Sequence, residues 1–198
     1  MKSINVKGTA RTATGKKAAR EIRKAGGVPC NLYGEAKGEN GLPVAVSFTV
    51  TQEELRKLVY TPDIYSVNLN IDGKECKAVM KELQFHPVTD RLLHVDFYEI
   101  TESKPIVMEV PIKLNGLAEG VKAGGKLAAS VRKLKVRAPY TNIPERLDID
   151  VTNLGLGKTI KVAELQFEGL EIVTSPSVVV CQVKMTRSAM SAAAKAEE

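Results

Sequence analysis

The stretch FHPVTDRLLHVDFYE, residues 85–99, has a period of two, because apolar and polar side chains alternate in its second half. Such alternation predicts a half-buried β-strand, in which successive side chains point to opposite faces of a sheet. We expect Val95 and Phe97 in the core, and His94 and Asp96 on the polar face. The stretch therefore predicts a strand that places an imidazole and a carboxylate side by side.

The same stretch holds the only two histidines of the 198-residue chain. His86, Asp90 and His94 are spaced four residues apart, so a helix would place them on one face, as in some metal sites. Pro87 and the β-branched residues after it disfavour a helix there. A metal- or histidine-dependent hydrolase that uses these three residues and Asp96 remains the enzyme alternative, although the set contains no nucleophile.

Short strands continue on both sides of this stretch. In the first hundred residues, Asp72-Gly73 predicts a β-hairpin, and Thr51 with Glu54 forms a capping-box pattern at the start of a short helix. After Pro105, six further short strands follow at even spacing, separated by Gly, Pro and Asn, and predict an all-β second domain. The fold class is therefore mainly β with a few short helices.

Polar residues near Thr101–Lys104 interrupt the strands and predict a domain boundary. We expect a first domain at 1–100 and a β-rich second domain at 101–185. The low-complexity residues 186–198 are predicted to be a disordered tail, and the glycine-rich segment 35–43 a mobile loop.

The positive charge of the chain is concentrated at one end. The first 34 residues contain eight basic residues and one acidic residue, whereas the other 164 contain 21 basic and 22 acidic residues. Such a local excess predicts a polyanionic partner, either nucleic acid or an anionic membrane surface. The three widely spaced cysteines are typical of reduced thiols in a cytosol rather than a disulfide framework or a zinc site.

Most of this charge lies on a predicted helix, TGKKAAREIRKAGG, which Gly26-Gly27 ends. At about 100° per residue, its cations fall within an arc of roughly 120°, opposite a narrow side of three alanines and Ile22. The cations suit the phosphates of a nucleic acid backbone, and the alanine-rich side lacks the bulky anchors of membrane-surface helices. The basic face consists of Lys16, Lys17, Arg20, Arg23 and Lys24.

Two motifs together are similar to a known family. GKKAAREIRKAGGVPCNLYG, residues 15–34, and LQFHPVTDRLLHVDFYEI, residues 83–100, resemble the bacterial large-subunit ribosomal proteins that bind 5S ribosomal RNA, in the two-domain general-stress-protein Ctc form. The second domain resembles the same form through residues 120–165. The likeness covers about residues 3–183.

The resemblance implies a small N-terminal β-barrel with a few short helices, followed by a β-rich domain. It implies a structural protein of the central protuberance that binds the loop E minor groove of 5S rRNA, without a catalytic site, metal or cofactor. The implied partners are 5S rRNA, large-subunit RNA and neighbouring ribosomal proteins, with the chain a monomer in the cytoplasmic ribosome and not at a membrane. The main alternative is an RNA-binding stress protein that acts on tRNA or other RNA outside the ribosome.

A minor-groove binder needs cations for the backbone and hydrogen-bonding side chains for base edges and 2′-hydroxyls. The helix supplies the cations, and the strand with His94 and Asp96 supplies the hydrogen-bonding groups. Glu21 and Phe85 depart from the family pattern, in which basic residues are frequent at both positions. By motif position, the resemblance implies RNA contacts from Arg11, Lys16, Arg20, Arg23, Tyr33, Gln84, His86, His94 and Asp96, to which the basic face adds Lys17 and Lys24.

Overall fold

The computed structural model describes residues 2–34, 44–101 and 104–186. The chain divides into two compact units, Met1–Lys104 and Pro105–Glu198. The predicted mobile loop and, except for Thr186, the predicted disordered tail lie outside the described residues.

The N-terminal unit is mainly β, as the sequence predicts. Its strands and helices alternate irregularly along the chain, with both helices in the first sixty residues. In order they are β1 (Lys2–Ala10), α1 (Lys16–Lys24), β2 (Gly27–Tyr33), β3 (Val46–Thr51), α2 (Gln52–Val59), β4 (Tyr65–Ile71), β5 (Lys74–Phe85) and β6 (Leu92–Glu99).

These six strands form a closed barrel in the order β1-β3-β2-β6-β5-β4. The barrel closes through a parallel pairing of β1 with β4, from Lys2 opposite Tyr65 to Gly8 opposite Ile71. A second parallel pairing joins β2 to β6, and the other neighbours are antiparallel. Closure leaves no strand edge unpaired. The barrel implied by the family resemblance is therefore confirmed by the strand order.

The barrel core contains the apolar side chains that the strand pattern predicts. In β6, Val95 and Phe97 are fully buried, whereas His94 and Asp96 are half-buried on the outer surface. The rings of Phe48 and Phe97 pack at a centroid distance of 5.8 Å. Gly8 leaves room for this packing, because a Cβ atom there would lie 2.6 Å from the Phe48 ring.

Two local turn predictions have different outcomes. The hairpin at Asp72-Gly73 is confirmed, and both residues have the positive φ angles, 48° and 87°, of a type I′ turn. Helix α2 is also confirmed, with Thr51 at its N-cap, but the Thr51 side chain accepts none of the amide hydrogen bonds that a capping box would form. The first helical amide, that of Gln52, donates to the carbonyl oxygen of Gly26 at 3.3 Å, so a tertiary contact satisfies one of the free amides at the helix start.

The C-terminal unit is β-rich, with one four-stranded sheet in the order β10-β7-β9-β12 and one three-stranded sheet in the order β11-β13-β8. It departs from the all-β expectation in two short segments, the helix α3 and a 3-10 helix at Val162–Glu164. Its elements are β7 (Pro105–Asn115), α3 (Glu119–Lys122), β8 (Lys126–Ala129), β9 (Lys133–Pro139), β10 (Leu147–Asp150), β11 (Thr159–Lys161), β12 (Glu171–Ile172) and β13 (Val179–Lys184).

Helix α3 lies against the backbone of a neighbouring loop. A Cβ atom at Gly120 would lie 2.7 Å from the backbone of Gly155 and Leu156, and the Gly120 amide donates to the Leu154 carbonyl at 2.9 Å. Glycine is the residue that permits such proximity, and the alternation pattern carries no sign of it. All the helices are short, and among the described residues none has the length and apolar character that a bilayer crossing requires.

Candidate nucleic-acid interface

Helix α1 presents the predicted basic face to solvent. Lys16, Lys17, Arg20, Arg23 and Lys24 are all exposed. Within the described part of the chain, none of the five takes part in an ion pair. Arg23 and Lys24 lie in the final turn of the helix, where cations interact favourably with the helix dipole. The helix therefore offers uncompensated positive charge over about 13 Å, at 1.5 Å per residue.

The opposite side of α1 packs closely on β2. Ala18, Ala19 and Ile22 are half-buried there. A Cβ atom at Gly27 would lie 3.0 Å from Ile22 Cγ2 and 2.9 Å from Thr49 Cγ2. The small residues therefore set the helix close to the barrel wall and fix the direction of its basic face. Ala25, which the helical pattern places on the apolar side, lies after the end of the helix and is exposed.

Arg23 joins the helix to the histidine-bearing strand. Its Nε donates a hydrogen bond to the carbonyl oxygen of Leu93 in β6 at 3.0 Å. Leu93 immediately precedes His94, so the basic face of α1 and the polar face of β6 are neighbours. Two sets of predicted RNA contacts that are far apart in sequence thus belong to one surface.

The outer surface of β5 and β6 is strongly polar. Gln84 lies directly opposite His94, and Glu82 directly opposite Asp96. His94 Nδ1 lies 3.5 Å from Asp96 Oδ1, and both side chains are about one-fifth exposed. Facing carboxylates on neighbouring strands repel each other, so a cationic or hydrogen-bond-donating partner is favoured beside Glu82 and Asp96.

The surface continues onto β2 through Tyr33 and Asn31. Tyr33 lies opposite Tyr98 of β6, and the two rings meet edge-to-face at 5.8 Å. Burial raises the pKa of the Tyr33 phenol, and the nearby Asp96 carboxylate raises it further, so the hydroxyl stays protonated as a donor. Asn31 lies opposite Asp96, and its Oδ1 accepts a hydrogen bond from Ser47 Oγ at 3.1 Å.

Arg11 lies beside this surface, just after β1. Its amide donates to the Ser47 carbonyl at 3.0 Å. Its Nε is buried and, within the described residues, has no hydrogen-bond partner. Burial raises the pKa of the neighbouring Cys30 thiol to about 12, an effect that the Arg11 charge opposes and the Asp96 charge reinforces. A buried N–H group without a hydrogen-bond partner is uncommon in folded proteins.

His86 lies in the turn between β5 and β6, not on the strand face. Its Nδ1 accepts hydrogen bonds from the amides of Val88 and Thr89 at 3.3 and 3.2 Å. Its own amide donates to the Arg91 carbonyl at 2.8 Å. The ring thus holds the turn in shape, and Nε2 is the ring nitrogen left for an RNA contact.

The arrangement has no catalytic geometry of the hydrolase type. His86 and Asp90 lie in the turn and His94 in a strand, so the helical spacing does not occur. Among the described residues, no three histidine, cysteine, aspartate or glutamate side chains are close enough together to hold a metal ion.

The sequence pattern missed several residues of this surface. Three of them, Asn31, Glu82 and Tyr98, each lie two positions along a strand from a predicted contact residue. The period of two places such residues on the same face, so it could have identified all three. Ser47 could not be identified in this way, because only the antiparallel pairing of β2 with β3 places it beside Asn31.

Comparisons with known proteins match both units of the chain. The Ribosomal L25p family model matches residues 6–97, and the model for the C-terminal domain of ribosomal protein TL5 matches residues 105–187. The chain is 66% identical to large ribosomal subunit protein bL25 of Phocaeicola vulgatus, over 99% of both chains. It is 60% identical to bL25 of Bacteroides thetaiotaomicron, over 99% of both, and 54% identical to bL25 of Porphyromonas gingivalis, over 98% of this chain and 99% of the relative. The chain therefore belongs to the bL25 family of large-subunit ribosomal proteins, a family of structural proteins rather than enzymes.

Proposed function

We propose that this chain is a cytoplasmic structural protein of the large ribosomal subunit that binds the loop E minor groove of 5S rRNA. One observation carries the proposal: the hydrogen bond from Arg23 to Leu93 makes the basic helix and the polar strand face one surface. That surface combines the two elements that recognition of an RNA groove requires, cations for phosphates and hydrogen-bonding groups for base edges and 2′-hydroxyls.

The two elements have different roles. The five cations of α1 neutralise backbone phosphates and supply most of the binding free energy, which therefore falls as salt rises. Gln84, His94 and Asp96 lie on adjacent strands and face outward. Asp96 accepts hydrogen bonds from base amino groups or 2′-hydroxyls, and Gln84 donates or accepts. These three residues supply the preference for loop E over other helices.

The N-terminal domain, residues 1–100, is the proposed 5S rRNA-binding part, and the second domain, residues 101–185, contacts large-subunit RNA or neighbouring ribosomal proteins. The proposed form in the ribosome is a monomer. The charge distribution supports this division, because the excess positive charge lies entirely within the first 34 residues.

A gel-shift titration with a loop E fragment of 5S rRNA tests the proposal. The unsubstituted protein is expected to bind the fragment in preference to tRNA. The variants His94→Ala and Asp96→Asn are each expected to reduce that preference by about tenfold, since a good base contact contributes roughly 1–3 kcal/mol. Lys126→Ala, an exposed cation of the C-terminal unit, is the matched control and should bind normally. Equal affinity for tRNA and loop E would reject the proposal in favour of a general RNA-binding protein.

A further inference from the structure

Two aromatic side chains, Tyr60 and Phe85, are exposed next to each other on the N-terminal unit. Tyr60 follows α2 and is 55% exposed, and Phe85 ends β5 and is 39% exposed. Their ring centroids are 6.3 Å apart, with planes inclined by 57°. The Tyr60 hydroxyl donates to the Asp90 carbonyl at 3.3 Å, so this ring is fixed to the turn that follows Phe85.

This aromatic pair adjoins the turn that carries His86, one of the predicted RNA contacts, because Phe85 directly precedes His86 in the chain and Tyr60 is bonded to the Asp90 carbonyl. Phe85 directly follows Gln84 in β5 and lies opposite Leu92. The next residue, Leu93, accepts the hydrogen bond from Arg23 of α1. The strand ends that carry Gln84 and Leu93 therefore enter the same turn to which the Tyr60 ring is bonded.

Cations lie close to both rings along the chain. Arg56 and Lys57 lie in the last turn of α2, just before Tyr60, and Arg91 follows the turn. All three are exposed, and within residues 44–101 they form no ion pair. Asp90 is the acid of the turn. Rings flanked by unpaired cations suit a nucleotide, whose base stacks while its phosphate is neutralised.

We propose that Tyr60 and Phe85 form a stacking platform for an unpaired nucleobase of the bound RNA. The inference rests on the RNA binding proposed above and extends that surface from a groove-binding face to a single-stranded nucleotide. Every base has a π-face, so the platform selects an unstacked base and not a particular sequence. An apolar protein segment would gain nothing from the three cations, and it therefore fits the site less well.

A fluorescence titration tests the platform directly. The chain contains no tryptophan, so Phe85→Trp introduces a single reporter on the platform. Addition of a 5S rRNA transcript is expected to quench its emission, because a stacked base contacts the indole. Val173→Trp, at a position of the C-terminal unit that is 45% exposed, is the control and should not respond.

Substitutions distinguish base stacking from a general apolar contact. Phe85→Ala and Phe85→Leu should each lower the affinity for 5S rRNA at least about fivefold, whereas Phe85→Tyr should keep it. Circular dichroism melting of each variant checks that the barrel is intact. If the transcript still shifts in a gel while Phe85→Leu binds normally and Phe85→Trp does not respond, the platform is rejected and the proposed 5S rRNA binding stands. If the unsubstituted protein does not bind the transcript, both proposals fail.

Discussion

Arg23 and Leu93 are 70 residues apart in the chain, yet Arg23 Nε donates a hydrogen bond to the Leu93 carbonyl at 3.0 Å. This bond fixes the C-terminal turn of α1 against β6, beside His94. It occupies one guanidinium N–H and leaves the terminal nitrogens of Arg23 for phosphate or base contacts. The same side chain thus positions the helix and belongs to the proposed RNA-binding surface.

Arg23→Ala should weaken loop E binding about tenfold and lower the salt slope of binding by about one, because one phosphate contact is lost. The affinity of the Arg23→Lys variant should lie between those of the unsubstituted protein and the alanine variant, since lysine keeps the charge but lacks the Nε donor. Stability should fall by at most about 1 kcal/mol in the alanine variant. Gel shifts at several salt concentrations and a urea melt measure these effects. Unchanged affinity for the alanine variant would contradict the assignment of Arg23.

The affinity for 5S rRNA should fall steeply with salt. Five cations on α1 predict a slope of log K against log salt of about −4.5, since each neutralised phosphate contributes roughly −0.9 in a duplex. Replacement of Lys16, Lys17 and Lys24 by Gln should reduce the magnitude of the slope by about two to three. The matched control replaces Lys122, Lys126 and Lys184, three exposed lysines of the C-terminal unit. An equal loss of slope in the control would mean that α1 is not the phosphate-binding element.

Gly27→Ala should destabilise the barrel by about 1–3 kcal/mol. The new methyl group would lie 2.9 Å from Thr49 Cγ2 and 3.0 Å from Ile22 Cγ2, so that either α1 or β3 must move. RNA binding should weaken as well, because the basic face would shift relative to His94. Gly155→Ala is the control, since its Cβ would meet only Lys158 Cγ at 3.7 Å. Chemical denaturation of both variants provides the comparison, and equal stabilities would refute the packing argument.

His86→Ala should cost about 1–2 kcal/mol of stability, because the amides of Val88 and Thr89 lose their acceptor. His86→Asn should restore most of this loss, since the Asn Oδ1 can accept amide hydrogen bonds in such turns. Thermal melts followed by circular dichroism give the two values. A gel shift with His86→Asn then isolates the RNA contribution: normal binding would show that His86 acts only through the turn, against its predicted contact.

Local patterns predicted much of the N-terminal unit correctly. The alternation in residues 92–99 gave the strand and its buried face, Asp72-Gly73 gave the hairpin, and the spacing of the cations gave the basic side of α1. Each of these features depends on residues within one or two turns of chain. The capping-box pattern at Thr51 gave the start of α2 but not a cap hydrogen bond, and the Gln52 amide donates to a distant carbonyl, that of Gly26.

The sequence by itself determined the strands, the basic helix and the polar side chains of the proposed interface, because hydrophobic periodicity and local turn chemistry are properties of short segments. Only the tertiary structure decided which of those segments meet. The parallel pairings of β1 with β4 and of β2 with β6 join residues more than sixty positions apart, and they bring Asn31 beside Asp96 and Arg23 beside Leu93. Such pairings follow from barrel closure and from core packing around Phe48 and Phe97, which depend on all six strands together.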